Sequence, residues 1–368
     1  MSTIALDATY TVDPQPSGVA TYSRRLIESL LELDAPHRFL VCYRLSRFKR
    51  RGLVMRPRAS RDKISIRWFQ EGLTFWLPWE AELFHSLAQR PPAFRFRREV
   101  VTIIDLFPIT GRDYSTPDFQ RKFSALLLEA AERATLVTTP SRFTADQLLK
   151  HSSVPAEKVR LVPFGVDAPE QRVGNEERAR ERESLVGKGN EMLLSIGAIQ
   201  TRKNTLNALR ALELLPARYH LVLAGADGYG AEAVHEFIRR QRLESRVTRL
   251  GYVTAARIRQ LYQAAGLFLF PSLEEGFGLP VLEAMSYGLP VVTSGSSSLP
   301  EVGGDAALYV DPHDPHDIAA KVERACDDAQ TRRVMVERGL ARAREFTWAR
   351  CAEQTLKVYE EALGRGGA

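Results

Sequence analysis

Cysteine is scarce: 368 residues hold three, at Cys42, Cys326 and Cys351. Scattered, odd in number and without paired spacing, they give no disulfide framework and no metal-type motif, and point to reduced thiols in a cytoplasmic protein. No apolar run reaches the roughly 18 residues that a membrane-spanning helix needs. The opening MSTIALDATY lacks the basic-then-apolar pattern of a secretory leader. No G-x-G-x-x-G follows the first apolar strand, which disfavours an NAD-dependent dehydrogenase. Internal repeats and low-complexity tracts are missing, and no nucleic-acid recognition motif accompanies the basic charge.

What is present is an ordinary apolar fraction, 44%, enough for buried cores. The length favours two domains. The net charge of +6 is uneven. Residues 1–170 carry 25 Lys+Arg against 19 Asp+Glu, an excess of six, and residues 171–368 carry 26 of each. Short apolar strands alternate with amphipathic helices twice over. IALDA, HRFLVCY, AELFHSL, EVVTIIDL and TLVTTPS read as strands of the first half. EMLLSIGAI, YHLVLAGA, VTRLGYV, LFLFPS, PVVTS and ALYVDP read as strands of the second. A polar stretch, APEQRVGNEERARERESLVGKGN, reads as linker plus surface helix. The expected fold is α/β: two Rossmann-like, doubly wound domains facing a central cleft. The expected boundaries are 1–168, joined by a C-terminal helix at about 350–365, and 169–349.

The chemistry concentrates in FPSLEEGFGLPVLEAM, Phe270 to Met285. A strand ends in a turn with Gly276 and Gly278, and a helix with Pro280 at its first position follows. The glycines let the backbone approach a ligand, and free amides at the helix start suit a phosphate. Glu275 lies just before that start and Glu283 in the expected first turn. Carboxylates accept hydrogen bonds from vicinal diols. Phosphate to amides and diols to acids fits a nucleotide sugar. The same residues also fit a plainer reading, in which Glu283 is a surface helix residue and Glu275 caps a turn. Arg202 and Lys203 follow the strand SIGAI, where two cations would stabilise a leaving phosphate or form a solvated pair.

This stretch resembles the E-x7-E signature of glycosyltransferase family 4, retaining enzymes of the GT-B fold. Residues 250–314, SIGAIQTRKN at 195–204, SGVATYSRRL, VPFGVD at 162–167 and EFTWARCAEQTLKVYEEAL are similar to that family too, so the likeness spans nearly the whole chain. The resemblance implies that Glu283 holds the ribose and Glu275 the donor sugar. Amides around Phe277, Gly278 and Leu279 would meet sugar or phosphate, Arg202 and Lys203 the diphosphate. Gly18 and Val19 would approach the diphosphate from the first domain. Gly197 belongs to the donor site, and Tyr252 and Val253 to the base pocket. Ser297, Ser298 and Glu301 are further donor-site candidates, against the plainer reading of a Ser-rich turn. Asp105 ends EVVTIIDL at the cleft as a catalytic candidate, preceded by Ile104 where many members have His. Family members are held to react by front-face attack, the departing phosphate taking the acceptor proton, so no general base is assigned. His85 is an acceptor-side candidate or a structural histidine.

No cofactor and no metal are expected, with DPHDPHD read as a turn. The segment 44–63 holds nine basic residues and one acid, and IRWFQEGLTFWLPWE beyond it holds Trp68, Trp76 and Trp79. With FRFRRE at 94–99 they read as a peripheral contact with an anionic membrane, or as a solvated loop beside core tryptophans. The resulting expectation is a hexosyltransferase at the inner face of the membrane. It would move mannose or a related hexose from a GDP-sugar to a glycan or polyprenyl-linked acceptor. The alternative is a catalytically inactive nucleotide-sugar-binding protein of the same fold.

Overall fold

The computed structural model describes residues 1–55, 63–74, 76–111, 113–169, 171 and 173–364. The chain divides into two compact units. One comprises Met1–Thr110, Asp118–Gly165 and Thr347–Ala368; the other comprises Gly111–Pro117 and Val166–Phe346.

The first unit is built on seven strands: β1 (Thr3–Asp7), β2 (Arg38–Arg44), β3 (Ile64–Phe69), β4 (Leu83–Ser86), β5 (Glu99–Thr102), β6 (Leu136–Thr139) and β7 (Val159–Leu161). Their order is β3-β2-β1-β4-β5-β6-β7, every pair parallel. β4 and β5 are buried along their full length, His85, Ser86, Glu99 and Thr102 included. The helix Trp348–Ala362 returns to this unit, capped by Thr347, whose hydroxyl accepts from the Arg350 amide at 3.1 Å. The edge strand β3 comes from a segment whose charges and tryptophans hid its alternation.

The second unit holds β8 (Glu191–Ile196), β9 (Tyr219–Ala224), β10 (Val247–Gly251), β11 (Leu267–Phe270), β12 (Val291–Ser294) and β13 (Leu308–Val310). Their order is β10-β9-β8-β11-β12-β13, again all parallel. This is the doubly wound order whose reversal, between β8 and β11, opens a ligand crevice at the carboxyl ends of the strands. The chain crosses between units after Gly165 and before Thr347. The Val166 amide donates to the Phe346 carbonyl at 3.0 Å. A Cβ on Gly165 would lie 2.2 Å from the Trp348 amide nitrogen, so only glycine fits there.

Candidate active site

The loops leaving β8 and β11 meet at the reversal point of the second sheet. The β8 loop first continues alongside the β9 loop. Gly197 and Ile199 amides donate to Ala224 and Ala226 carbonyls at 3.0 and 2.9 Å, and the Thr201 amide to Tyr229 at 2.9 Å. Gly197 has φ +132°, which favours glycine. Asn204 then turns in the left-handed region, φ 58°, and starts the helix Thr205–Leu214. Its side-chain amide donates to the Pro271 and Pro312 carbonyls at 2.9 and 2.7 Å, tying the loop to the end of β11.

That tie aims Arg202 and Lys203 at Glu275. An Arg202 guanidinium nitrogen lies 2.9 Å from one carboxylate oxygen, and Lys203 Nζ lies 2.6 Å from the other. Arg202 also donates to the Glu274 carbonyl at 2.6 Å, and the Leu273 amide donates back to the Arg202 carbonyl at 2.9 Å. Glu275 is 6% exposed. Burial raises its pKa, but Arg202 and Lys203 more than offset this and hold the carboxyl at about 2. It is an anion at neutral pH, fit to accept hydroxyl protons in hydrogen bonds and unfit as a general acid.

The serine loop after β12 fastens the other side of the Glu275 loop. Ser298 Oγ is 2.8 Å from both the Glu275 and the Phe277 carbonyls, Ser294 donates to the Ser272 carbonyl at 2.6 Å, and Ser297 Oγ accepts from the Glu275 amide at 3.1 Å. Ser297 and Ser298 therefore shape the site through its backbone. Glu301 lies in the helix Leu299–Gly303, where its carbonyl accepts from Arg342.

The helix Leu279–Ser286 starts from Gly278 without a side-chain cap. Gly278 has φ +106°, and a Cβ there would come within 2.8 Å of Leu299. Phe277 is buried and packs edge-on against Phe346 at 5.9 Å. Two details of the sequence reading change. Pro280 is the second helical residue, and Glu283 lies beyond the first turn because the helix begins at Leu279. Glu283 faces Tyr262, whose hydroxyl donates to it at 2.8 Å. Burial pushes the Glu283 carboxyl up, and the Tyr262 hydrogen bond opposes that rise. Tyr262 is buried and stacks on Tyr287 at 5.4 Å. No short-range signal marks Tyr262, because it comes from the helix Ala255–Ala264, 21 positions away. Tyr252 and Val253 follow β10, with Tyr252 exposed.

The remaining candidates belong to the first unit. Gly18 opens the helix Gly18–Glu32 after β1, exposed, and a Cβ there would meet nothing within 4 Å. Val19 beside it is partly buried. Asp105 follows β5 on the same carboxyl edge of the sheet, and its carbonyl accepts from Gln89 at 3.2 Å. His85 is not at an acceptor surface. It is 0% exposed inside the sheet, with Nδ1 2.6 Å from the Tyr359 hydroxyl and Nε2 2.8 Å from the Thr102 hydroxyl. Burial lowers its pKa to about 3, so it is a neutral core histidine.

The basic, aromatic region also divides. Trp68 packs against Tyr43 and Phe48 at 5.3 and 5.1 Å, whereas Trp76 is half exposed and Trp79 89% exposed. In FRFRRE the aromatics turn inward, Phe96 buried and stacked on Phe84 at 4.4 Å and Phe94 partly buried against Phe69, while Arg95 and Arg97 stay exposed. Residues 56–62 of the basic segment, and Phe75, lie outside the described residues. In DPHDPHD the acids accept from backbone amides, Asp311 from His313 at 2.8 Å and Asp314 from His316 at 2.9 Å. Among the described residues no three His, Cys, Asp or Glu gather as a metal site, and no helix is long and apolar enough to cross a membrane.

Residues 176–342 match the family "Glycosyl transferases group 1", and residues 16–169 match "Glycosyltransferase Family 4". The chain is 35% identical over 272 residues to the O-antigen chain mannosyltransferase B of Escherichia coli, covering 72% of this chain and 71% of that one. It is 30% identical over 279 residues to the E. coli serotype-specific mannosyltransferase WbdA, covering 70% of this chain but 33% of that longer one. Among solved structures it resembles Anabaena Alr3699/HepE in complex with UDP and glucose, with a TM-score of 0.76, 18% identity and coverage of 98% and 100%.

Proposed function

Because this chain belongs to the glycosyltransferases of family 4 and group 1 and has their GT-B fold, we propose that it is a retaining mannosyltransferase of cell-surface polysaccharide synthesis. The donor in this reading is GDP-mannose and the acceptor a glycan or polyprenyl-linked sugar. The observation that carries it is Glu275, gripped by Arg202 and Lys203 at the reversal point of the second sheet. The likeness to two mannosyltransferases supports the choice of sugar.

The diphosphate meets Arg202, Lys203 and the uncapped helix start at Gly278 and Leu279. Glu275, ionised, accepts hydrogen bonds from the donor sugar, and Glu283, oriented by Tyr262, accepts from the ribose. The acceptor oxygen bonds to the anomeric carbon on the face from which the diphosphate departs. The carbon–oxygen bond to phosphate breaks, its electron pair goes to the phosphate oxygen, and that oxygen takes the acceptor's proton. Arg202 and Lys203 stabilise the charge that grows there, and fixed geometry supplies the rest. The reaction in this reading needs no cofactor.

Peripheral contact with an anionic membrane is part of the same proposal. Trp76 and Trp79 stand exposed, and the segment Leu45–Leu53 carries Arg47, Lys49, Arg50 and Arg51 around an exposed Phe48. The test is transfer from GDP-mannose, UDP-glucose and dTDP-rhamnose to a polyprenyl-linked acceptor, with the product's anomeric configuration read by NMR. Transfer of α-mannose from GDP-α-mannose is the expected result. Nucleotide binding without transfer from any donor would support an inactive binding protein instead.

A further inference from the structure

We propose that Asp227 selects guanine in the donor nucleotide, reading the base from a cavity of about 610 Å³ on the second unit. The inference rests on the donor-site reading above and adds the residue that sets nucleotide identity. Ile199, Val247 and Tyr252 offer the cavity apolar and aromatic surface, and Asp227, Glu244 and Arg249 its charges.

The cavity is continuous with the cation loop. Ile199 lies in the same loop as Arg202 and Lys203, and a Cβ on Gly225 would sit 1.9 Å from the Gly197 carbonyl oxygen. The two loops are thus packed backbone to backbone. Topology sets the direction in which a nucleotide runs. Glu275, the sugar ligand, follows β11 on one side of β8; the cavity opens by β9 and β10 on the other. With the diphosphate on Arg202 and Lys203, the base falls on the cavity side.

The polar groups there have a fixed sense. Arg249 contacts His235 Nδ1, and His235 Nε2 lies 2.9 Å from an Asp227 oxygen. A guanidinium only donates, so Nδ1 accepts and Nε2–H donates to Asp227. The chain of bonds thereby orients the Asp227 carboxylate, whose side chain is 62% exposed. Guanine presents N1–H and its 2-amino group as adjacent donors, which one carboxylate accepts together. Adenine puts an acceptor at N1. Uracil offers one N–H between two carbonyls, which Asp227 and Glu244 both repel. A site that demands paired donors discriminates against a base lacking them more strongly than an apolar pocket can.

The experiment is calorimetric titration of the whole protein with GDP, IDP, XDP, ADP and UDP, on wild type and on Asp227→Asn, Asp227→Ala and Lys203→Gln. Wild type should bind GDP at least tenfold more tightly than IDP, which lacks the 2-amino group. Asp227→Asn should lose tenfold or more for GDP and gain for XDP, whose O2 accepts from a carboxamide. Asp227→Ala should flatten the series, and unliganded melting temperatures unchanged by the two Asp227 substitutions are the folding control. Equal affinity for GDP and IDP, or an undiminished preference for GDP in Asp227→Asn, overturns the assignment. Tight UDP or ADP binding lost in Lys203→Gln overturns guanine selection while the donor site stands. No binding of any nucleoside diphosphate overturns both.

Discussion

Replacing Glu275 by Gln removes the carboxylate that Arg202 and Lys203 both contact. All three side chains are largely buried. Breaking a buried ion pair by removing one partner costs about 3–5 kcal/mol. An independent route agrees: the carboxyl's ordinary 4.5 falls to about 2 in the fold, which at ~1.4 kcal/mol per pH unit is on the order of 3 kcal/mol. For a unit of this size the variant should melt roughly 6–20 °C lower. GDP should then stabilise the variant at least as much as wild type, because its diphosphate restores the missing counter-charge, while sugar transfer falls at least ~100-fold. The sign of the acid effect follows from the lowered value. Glu275's contribution is complete above pH 4.5 and is lost as pH falls toward 2, a limb the variant lacks. Calorimetric melting with and without GDP, at pH 7 and pH 3.5, reads all of this. A variant melting within 2 °C of wild type, or binding GDP more weakly, would refute the reasoning.

Tyr262→Phe removes the hydrogen bond that lowers the Glu283 pKa. Donor KM should rise about three- to tenfold, and the acidic limb of its pH profile should move to higher pH. Additive effects of Tyr262→Phe and Glu283→Gln in a double-mutant cycle would contradict the coupling. His85, ordinarily near 6.5 and about 3 in the fold, stays neutral while the unfolded chain takes up its proton. Between pH 7 and pH 5 it should remove about 2 kcal/mol of stability, a loss that urea unfolding of His85→Gln should not show. Equal losses in both proteins would count against the buried neutral ring. Asn204→Ala removes the side-chain amide that donates to the Pro271 and Pro312 carbonyls, the latter keeping Asn207 at 2.9 Å, and puts a residue less tolerant of the left-handed region at φ 58°. It should cost about 2–4 kcal/mol by urea unfolding, with Asn204→Gly recovering only the backbone share; full recovery would show that the bonds contribute nothing.

The alternation of apolar strands and amphipathic helices made both sheets legible, and a local motif revealed Glu275, Arg202 and Lys203. Each depends on neighbours in sequence, and period and turn chemistry report on neighbours. Beyond that range the sequence misleads. His85 looked like a cleft residue because nothing local shows Tyr359, 274 positions away, closing over it. Phe94 and Phe96 sit among arginines, yet packing of their loop on Phe69 and Phe84 draws them inward. β3 was hidden because an edge strand needs only partial burial and tolerates charge. The serines after β12 and Tyr262 act through partners about 20 positions away, so their roles appear only once the loops are folded together.

The pairing of Val166 with Phe346 has an evolutionary side. A module whose first and last residues are hydrogen-bonded neighbours asks almost nothing of the host chain in which it is inserted, because the host's cut ends need no stretching to meet it. The segment 166–346, which holds the six-stranded sheet and the Glu275 cluster and is joined in its unit only by Gly111–Pro117, is close to such a cassette. Recombination at Gly165 and Thr347 would exchange the unit that carries the Glu275 cluster and keep the seven-stranded one. The glycine pressed against Trp348 marks the seam that an exchange would have to preserve.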